Sequence, residues 1–286
     1  MKAFRYTVVQ GAGTAGKRLR AGALLKAGGS DLLDRMKERL ATPDEGASLP
    51  ATAGEYLRDI TGAGDELRVG ALVTLAEIAA SEKVARHAPA LVEAAAHAAS
   101  PQVRHRATLG GNICQHTRCG YYRLASFPCW KRGDATCPVL GDGGVQETAG
   151  IFGNAQCASA HPASLPPVLG ALGARVVVRG RKDRDERPFA DLWRAPEQGV
   201  EPDVALEPGE VIVSVLLPKW GEGTTTAYEE VRQKAAFDWA LASCAVRVTR
   251  GADGVVASAG IWPGSVAPTP HHASAAEQAV VGTKLA

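Results

Sequence analysis

Hydrophobic positions follow two rhythms along this chain. Short β-branched runs predict strands at "FRYTVVQ" (4–10), "LRVGALV" (67–73), "ARVVVRG" (174–180), "EVIVSVLLP" (210–218), "AYEEVRQ" (227–233), "CAVRVTR" (244–250) and "GVVASAGIW" (254–262). Helical spacing predicts helices over Asp31–Leu40, Leu75–Ala80 and Ala90–Ala99. The first is the best defined. Leu32, Leu33, Met36 and Leu40 share one face, Ser30 can cap it, and Asp31 suits its first turn. Residues 41–66 read as an irregular connection. Helical and strand segments interleave without an internal repeat, so the chain is mixed α and β. A polar link, "PKWGEGTTT" (Pro218–Thr226), follows a strong strand and marks a domain boundary. Beyond it the chain is strand-rich until "SAAEQAVVGTKLA", which starts a helix and stops.

Composition narrows the function. The 286 residues are 45% apolar and 22% charged, enough for a substantial core. A net charge of +2 gives no global field to gather nucleic acid or anionic lipid. The densest charge run, Arg179–Pro188, mixes signs and reads as a solvated turn. No apolar stretch approaches a membrane span, and "MKAFRYTVVQ" lacks the apolar core of a secretory signal. The expected compartment is the reducing cytoplasm, which argues against disulfides among the six cysteines.

Three glycine-bearing stretches could meet a nucleotide. Gly11, Gly13 and Gly16 form G-x-G-x-x-G after a strand-like run, with Asp31 roughly where an acid would meet a ribose. This is the Rossmann alternative, an NAD(P)-dependent dehydrogenase. Gly28 and Gly29 precede the capped helix, where backbone N–H groups could close on a phosphate. "RATLGGNIC" offers Thr108, Gly110, Gly111 and Asn112 by the same logic. Two such cradles suit a pyrophosphate held from both sides. Cys119, Cys129, Cys137 and Cys157 cluster in a loop-like region rich in Pro, Gly and Asp, without the compact C-x2-C spacing of a zinc finger or ferredoxin. Their spacing leaves zinc and iron–sulfur level; the zinc case is a zinc-stabilised interaction module. Arg118, Arg123, Lys131 and Arg132 lie near enough in sequence to offset thiolate charge. Cys114 and Cys244 read as packing residues, and His116 and His161 as hydrogen-bonding histidines.

The ordered set "AGGSDLLDRMK", "RVGALVTLAEIA", "RHRATLGGNICQHTRC", "HPASL", "EVIVSVLLP" and "YEEVRQKAAFDWALAS" resembles the FAD-binding (medium) subunits of the xanthine dehydrogenase, or molybdenum hydroxylase, family. The likeness is greatest to the bacterial aldehyde-oxidoreductase type and runs from about Ala27 to about Gly282. It implies an α+β fold: a vanillyl-alcohol-oxidase-like (PCMH-type) FAD-binding domain of two α/β subdomains over residues 1–219, with a small α+β C-terminal domain over 220–286. Relatives continue past the equivalent of Ala286, which implies a truncated C-terminal domain. The implied FAD contacts are Lys26, Ala27, Gly28, Gly29, Ser30, Asp31, Leu32, Thr108, Gly110, Gly111, Asn112, Thr117, Ser164 and Lys234. On this reading the Gly11–Gly16 motif is a decoy. Ser164 stands where relatives usually carry an Asp, so one acidic acceptor is missing. Segments "HTRC", "PCWKR" and "CASAHP" resemble those of a family branch with an inserted loop, here about 114–160, that binds a [4Fe–4S] cluster. The implied ligands are Cys119, Cys129, Cys137 and Cys157. Implied partners are a molybdenum-cofactor large subunit that oxidises an aldehyde or N-heterocycle, a [2Fe–2S] small subunit and an external electron acceptor. Co-export to the periplasm with a signal-bearing partner is the alternative location.

Overall fold

The computed structural model describes residues 1–285 apart from 51, 55, 182, 200–202 and 235–236. Its strands form three sheets. The first is parallel and small: β1 (Arg5–Val8), β2 (Leu24–Lys26) and β3 (Glu45–Ser48) in the order β1-β3-β2. Helices Ala12–Arg20 and Leu32–Lys37 make its crossovers. The second is antiparallel: β4 (Ile60–Ala63), β5 (Glu66–Gly70), β6 (Arg175–Arg179), β7 (Arg184–Pro188) and β8 (Val211–Leu217) in the order β4-β5-β8-β6-β7. The third is a meander of β9 (Thr224–Arg232), β10 (Ala240–Arg250) and β11 (Val256–Gly264).

Sequence explains the placements. Every residue of β8 is buried, as suits a run apolar but for Ser214 at the middle of a sheet. At the far edge β7 carries the charge run, exposed along most of its length; charged side chains blunt an open sheet edge. The expected solvated turn is thus the outer strand of a hairpin with β6. The segment 41–66, expected to be irregular, holds β3 and β4; each is only four residues long, too short for a period-2 signal. Helix Leu75–Ala79 starts at a capping box: Thr74 accepts from the Glu77 amide and Glu77 accepts from the Thr74 amide.

Helix Leu165–Ala171 leads into β6 of the second sheet and packs on the third. It packs on β10 and β11 and against helix Pro89–His97, which in turn packs on β9. The buried Arg247 of β10 donates from Nε to the Ala171 carbonyl at 3.0 Å and lies 3.9 Å from the centre of the Trp220 ring. The third sheet is therefore fastened to the rest by packing and by a buried guanidinium.

Candidate functional site

The two glycine loops meet. A Cβ at Gly28 would stand 1.8 Å from the Arg106 carbonyl oxygen, and Gly29 has φ +86, so only glycines let the loop after β2 run beside segment 106–111. Thr108 caps the short helix Leu109–Ile113 by accepting from the Gly111 amide at 3.2 Å. The helix after the first loop is shorter than its spacing suggests. It spans Leu32–Lys37, and its N-cap is Asp31 without a side-chain cap bond, so Ser30 does not cap it. The reason lies in what Asp31 does instead.

The Asp31 carboxylate gathers basic side chains from two segments. Arg118 Nη2 lies 3.0 Å away, Arg123 Nη2 3.2 Å, His116 Nδ1 3.4 Å and Arg35 Nη1 3.8 Å. Burial pushes this carboxyl up, but His116, Arg118 and Arg35 outweigh it and hold the group below its usual range. Asp31 thus ties the first loop to the cysteine-bearing segment. Arg118 also stacks on Trp239, the residue before β10, 5.0 Å from the ring centre.

Two cavities flank the loops. One, of about 540 Å³, is lined by Ala27–Leu32, Thr108, Gly110 and Arg35 among others. The other, about 320 Å³, is lined by Asn112, Ser164 and Trp239 and reaches the third sheet through Glu230 and Arg232. Ser30, Asp31, Gly111 and Gln115 line both, so the loops form a shared waist. Three buried donors of residues that line it have no partner among the described residues: Nε of Arg35, which lines the first cavity, and Nε of Arg118 and Arg232, which line the second. Such orphaned donors suit an elongated ligand carrying anionic or carbonyl oxygens along its length. A dinucleotide of the FAD kind fits that donor set and that two-chambered shape.

Of the residues singled out from sequence, Ala27 to Leu32, Thr108, Gly110, Gly111, Asn112 and Ser164 all line one or both cavities. Lys26, Thr117 and Lys234 line neither. Lys26 turns its Nζ to the Ala27 carbonyl, at 3.3 Å. Thr117 is buried, accepts from the Cys119 amide and has its carbonyl held by Arg123. Lys234 is exposed. Gly11, Gly13 and Gly16 also stay outside both cavities. Gly16 instead lets helix Ala12–Arg20 close on Gly209, whose carbonyl oxygen would stand 2.4 Å from an added Cβ. Residues the sequence reading missed are Arg35, Gln115, Glu230 and Arg232. Only the last two carried a signal, as alternate positions of a predicted strand that face one side with Tyr228.

Residues 7–220 match the family described as "FAD binding domain in molybdopterin dehydrogenase", and residues 226–286 match "CO dehydrogenase flavoprotein C-terminal domain". The chain belongs to the FAD-binding medium subunits of the molybdenum hydroxylases. It is 33% identical over 265 residues to the aldehyde oxidoreductase FAD-binding subunit PaoB of Escherichia coli K12, covering 91% of this chain and 82% of the relative. It is 29% identical over 253 residues to the carbon monoxide dehydrogenase medium chain of Hydrogenophaga pseudoflava, covering 88% and 70%. A solved structure of carbon monoxide dehydrogenase from that organism superposes with a TM-score of 0.75 at 29% identity, over 99% of this chain and 82% of its counterpart. As a subunit of this family the protein is an oxidoreductase component that works within a larger enzyme and binds FAD. The Rossmann dehydrogenase alternative falls with this assignment. No described helix is long and apolar enough to cross a membrane.

The cysteine segment differs from its sequence-based expectation. All six cysteines are free, with Cys129, Cys137 and Cys157 buried. The amides of Lys131 and Arg132 donate to the Cys129 sulfur, and Cys157 bonds Ser159 at 3.3 Å. Burial pushes both thiols up despite those bonds. The donor chemistry suits thiolate ligation, yet among the described residues no three His, Cys, Asp or Glu side chains are gathered to hold a metal. The expected convergence of Cys119, Cys129, Cys137 and Cys157 is therefore absent. Cys129 and Cys137 open separate 3-10 turns and Cys119 opens helix Gly120–Arg123, which holds the sulfurs on distinct elements.

Proposed function

We propose that the chain binds FAD across the waist between its two cavities and serves as the junction between partner subunits and an external electron acceptor. The reading assigns the pyrophosphate to the backbone around Gly28–Asp31 and Thr108–Gly111, and the two ends of the dinucleotide to the two cavities. The observation that carries it is the set of buried Nε donors of Arg35, Arg118 and Arg232 around that waist, which have no partner among the described residues. Bound flavin supplies a centre able to take single electrons and release two. The chain's own residues enclose it, meet its oxygens with fixed donors, and hold the two loops in register through Asp31. We divide the chain into a FAD-binding unit, 1–219, and a C-terminal unit, 220–286, whose strands β9 and β10 wall the smaller cavity. The partners on this proposal are a molybdenum-cofactor subunit that oxidises an aldehyde or N-heterocycle and a [2Fe–2S] subunit. Similarity to an aldehyde oxidoreductase subunit supports the aldehyde. Co-purification with the two partner chains, and aldehyde-dependent reduction of the flavin in that complex, test the assignment. Flavin that stays oxidised with every aldehyde and N-heterocycle supplied would sink it.

A second reading concerns the four clustered cysteines. We infer that Cys119, Cys129, Cys137 and Cys157 take up a [4Fe–4S] cluster, which would draw the sulfurs together. Support comes from their free state, from amide donors to Cys129, and from Lys131 and Arg132, which act electrostatically on Cys157 and Cys129 respectively. Iron and acid-labile sulfide assays after anaerobic purification decide. Four irons per chain, lost in Cys129→Ser, are expected; bound zinc, or no metal, refutes the cluster.

A further inference from the structure

The smaller cavity has a buried ion pair in its wall that structural needs alone do not explain. Tyr228, Glu230 and Arg232 alternate along β9 and so face one side. The Glu230 side chain is only 6% exposed and that of Arg232 15%. Tyr228 donates its hydroxyl proton to Glu230 Oε2 at 2.7 Å, while Arg232 pairs through Nη2 with Glu230 Oε1 and with the His97 carbonyl. Both Glu230 and Arg232 line the cavity. The Nε of Arg232 is buried and has no partner among the described residues. A guanidinium spends its donors where acceptors exist, so an unmet buried Nε beside a carboxylate with spare lone pairs marks a two-point, donor-plus-acceptor contact for a ligand.

We propose that Glu230 and Arg232 read the pyrimidine edge of the flavin ring, with Glu230 accepting from N3–H and Arg232 donating through Nε to the C2 carbonyl. The assignment rests on the FAD reading above. That edge alternates carbonyl, N–H and carbonyl, so a neighbouring acceptor and donor complement it. The pair also has an electronic consequence. When the ring takes up two electrons and one proton, the net negative charge it gains sits at N1 and the C2 carbonyl. A fixed guanidinium there favours the reduced form and raises the midpoint potential. Arg232, not the exposed Lys234, is then the basic group that tunes the flavin.

The test uses the full chain in its complex, stripped of flavin and reloaded. FAD, 3-methyl-FAD, which lacks the N3–H, and 1,N6-etheno-FAD, whose adenine edge is blocked, are titrated in turn. 3-Methyl-FAD should bind about tenfold or more weakly than FAD, the expected loss for a hydrogen bond to a charged group. The flavin midpoint potential should fall in Arg232→Gln, stay near the parent value in Arg232→Lys, and be unmoved in Lys234→Gln. Equal binding of FAD and 3-methyl-FAD overturns the proposal, as does an unchanged potential in Arg232→Gln. A loss confined to the etheno analogue puts adenine against Glu230 and also overturns it. Failure to bind FAD at all removes the FAD reading itself, a different outcome.

Discussion

Arg118 Nη2 lies 3.0 Å from Asp31 Oδ1, so the first glycine loop is held by the residue that immediately precedes Cys119. One guanidinium thereby links the waist between the cavities, the cysteine segment and, through its stack on Trp239, the stretch that leads into β10. Replacing Asp31 by Asn would leave Arg35, Arg118 and Arg123 with a neutral partner. The expected cost is about 2 kcal/mol, in the range for hydrogen bonds to charged groups, read from the urea midpoint at pH 7. Looser retention of FAD should accompany it. A change within about 0.5 kcal/mol would mean that the pairs behave as ordinary surface contacts.

Gly28 is demanded by proximity. Gly28→Ala places a methyl 1.8 Å from a backbone oxygen, and the loops must part. Overpacking of this kind costs about 1–3 kcal/mol, and flavin content should fall with it. Gly62→Ala, whose added Cβ meets nothing within 4 Å, should leave both unchanged.

His161 supplies a pH signature. Burial first, then the charges of Lys131 and His116, push its imidazole down to about 3 from an ordinary 6.5. The folded chain keeps the ring neutral while the unfolded chain protonates it below about 6.5. Its contribution is thus complete above the unfolded value and is lost as pH falls toward 3. Between those values the stability difference between the protein and His161→Gln should change by about 1.4 kcal/mol per pH unit, measured by urea unfolding at stepped pH. Parallel curves would show that the imidazole is charged in the fold.

Cys114 lines the larger cavity, yet its thiol is pushed up to about 12, by burial first and by the Asp31 charge second. At pH 8 roughly one thiol in ten thousand would be ionised. Maleimide should therefore label Cys114 slowly in the native protein and rapidly in urea. Fast native labelling would contradict the raised thiol.

Much of this arrangement is legible in the sequence where a local rule is strong. The mainly apolar run 211–217 becomes the fully buried β8, and both glycine pairs come to the wall of the larger cavity. Where the determinant is tertiary, local reading fails. Ser30 has the right chemistry to cap, but Asp31 is claimed by arginines 87 and 92 positions away, and the helix starts without a side-chain cap. Gly11, Gly13 and Gly16 carry a nucleotide pattern on a true strand–helix turn, yet the smallness of Gly16 serves packing against Gly209. Lys234 and Arg232 are two positions apart and share a charge, but only Arg232 is turned inward by the strand. Arg35 and Gln115 had no spacing or motif to announce them.

The central claim is that a dinucleotide spans both cavities across the waist. Fluorescence titration of the flavin-stripped chain with FAD and with FMN tests it most directly. The account predicts one saturable FAD per chain, bound about tenfold or more tightly than FMN, because FMN reaches only one cavity and leaves charged donors unmet in the other. Equal affinity for FMN and FAD, or no saturable binding of either, would contradict it.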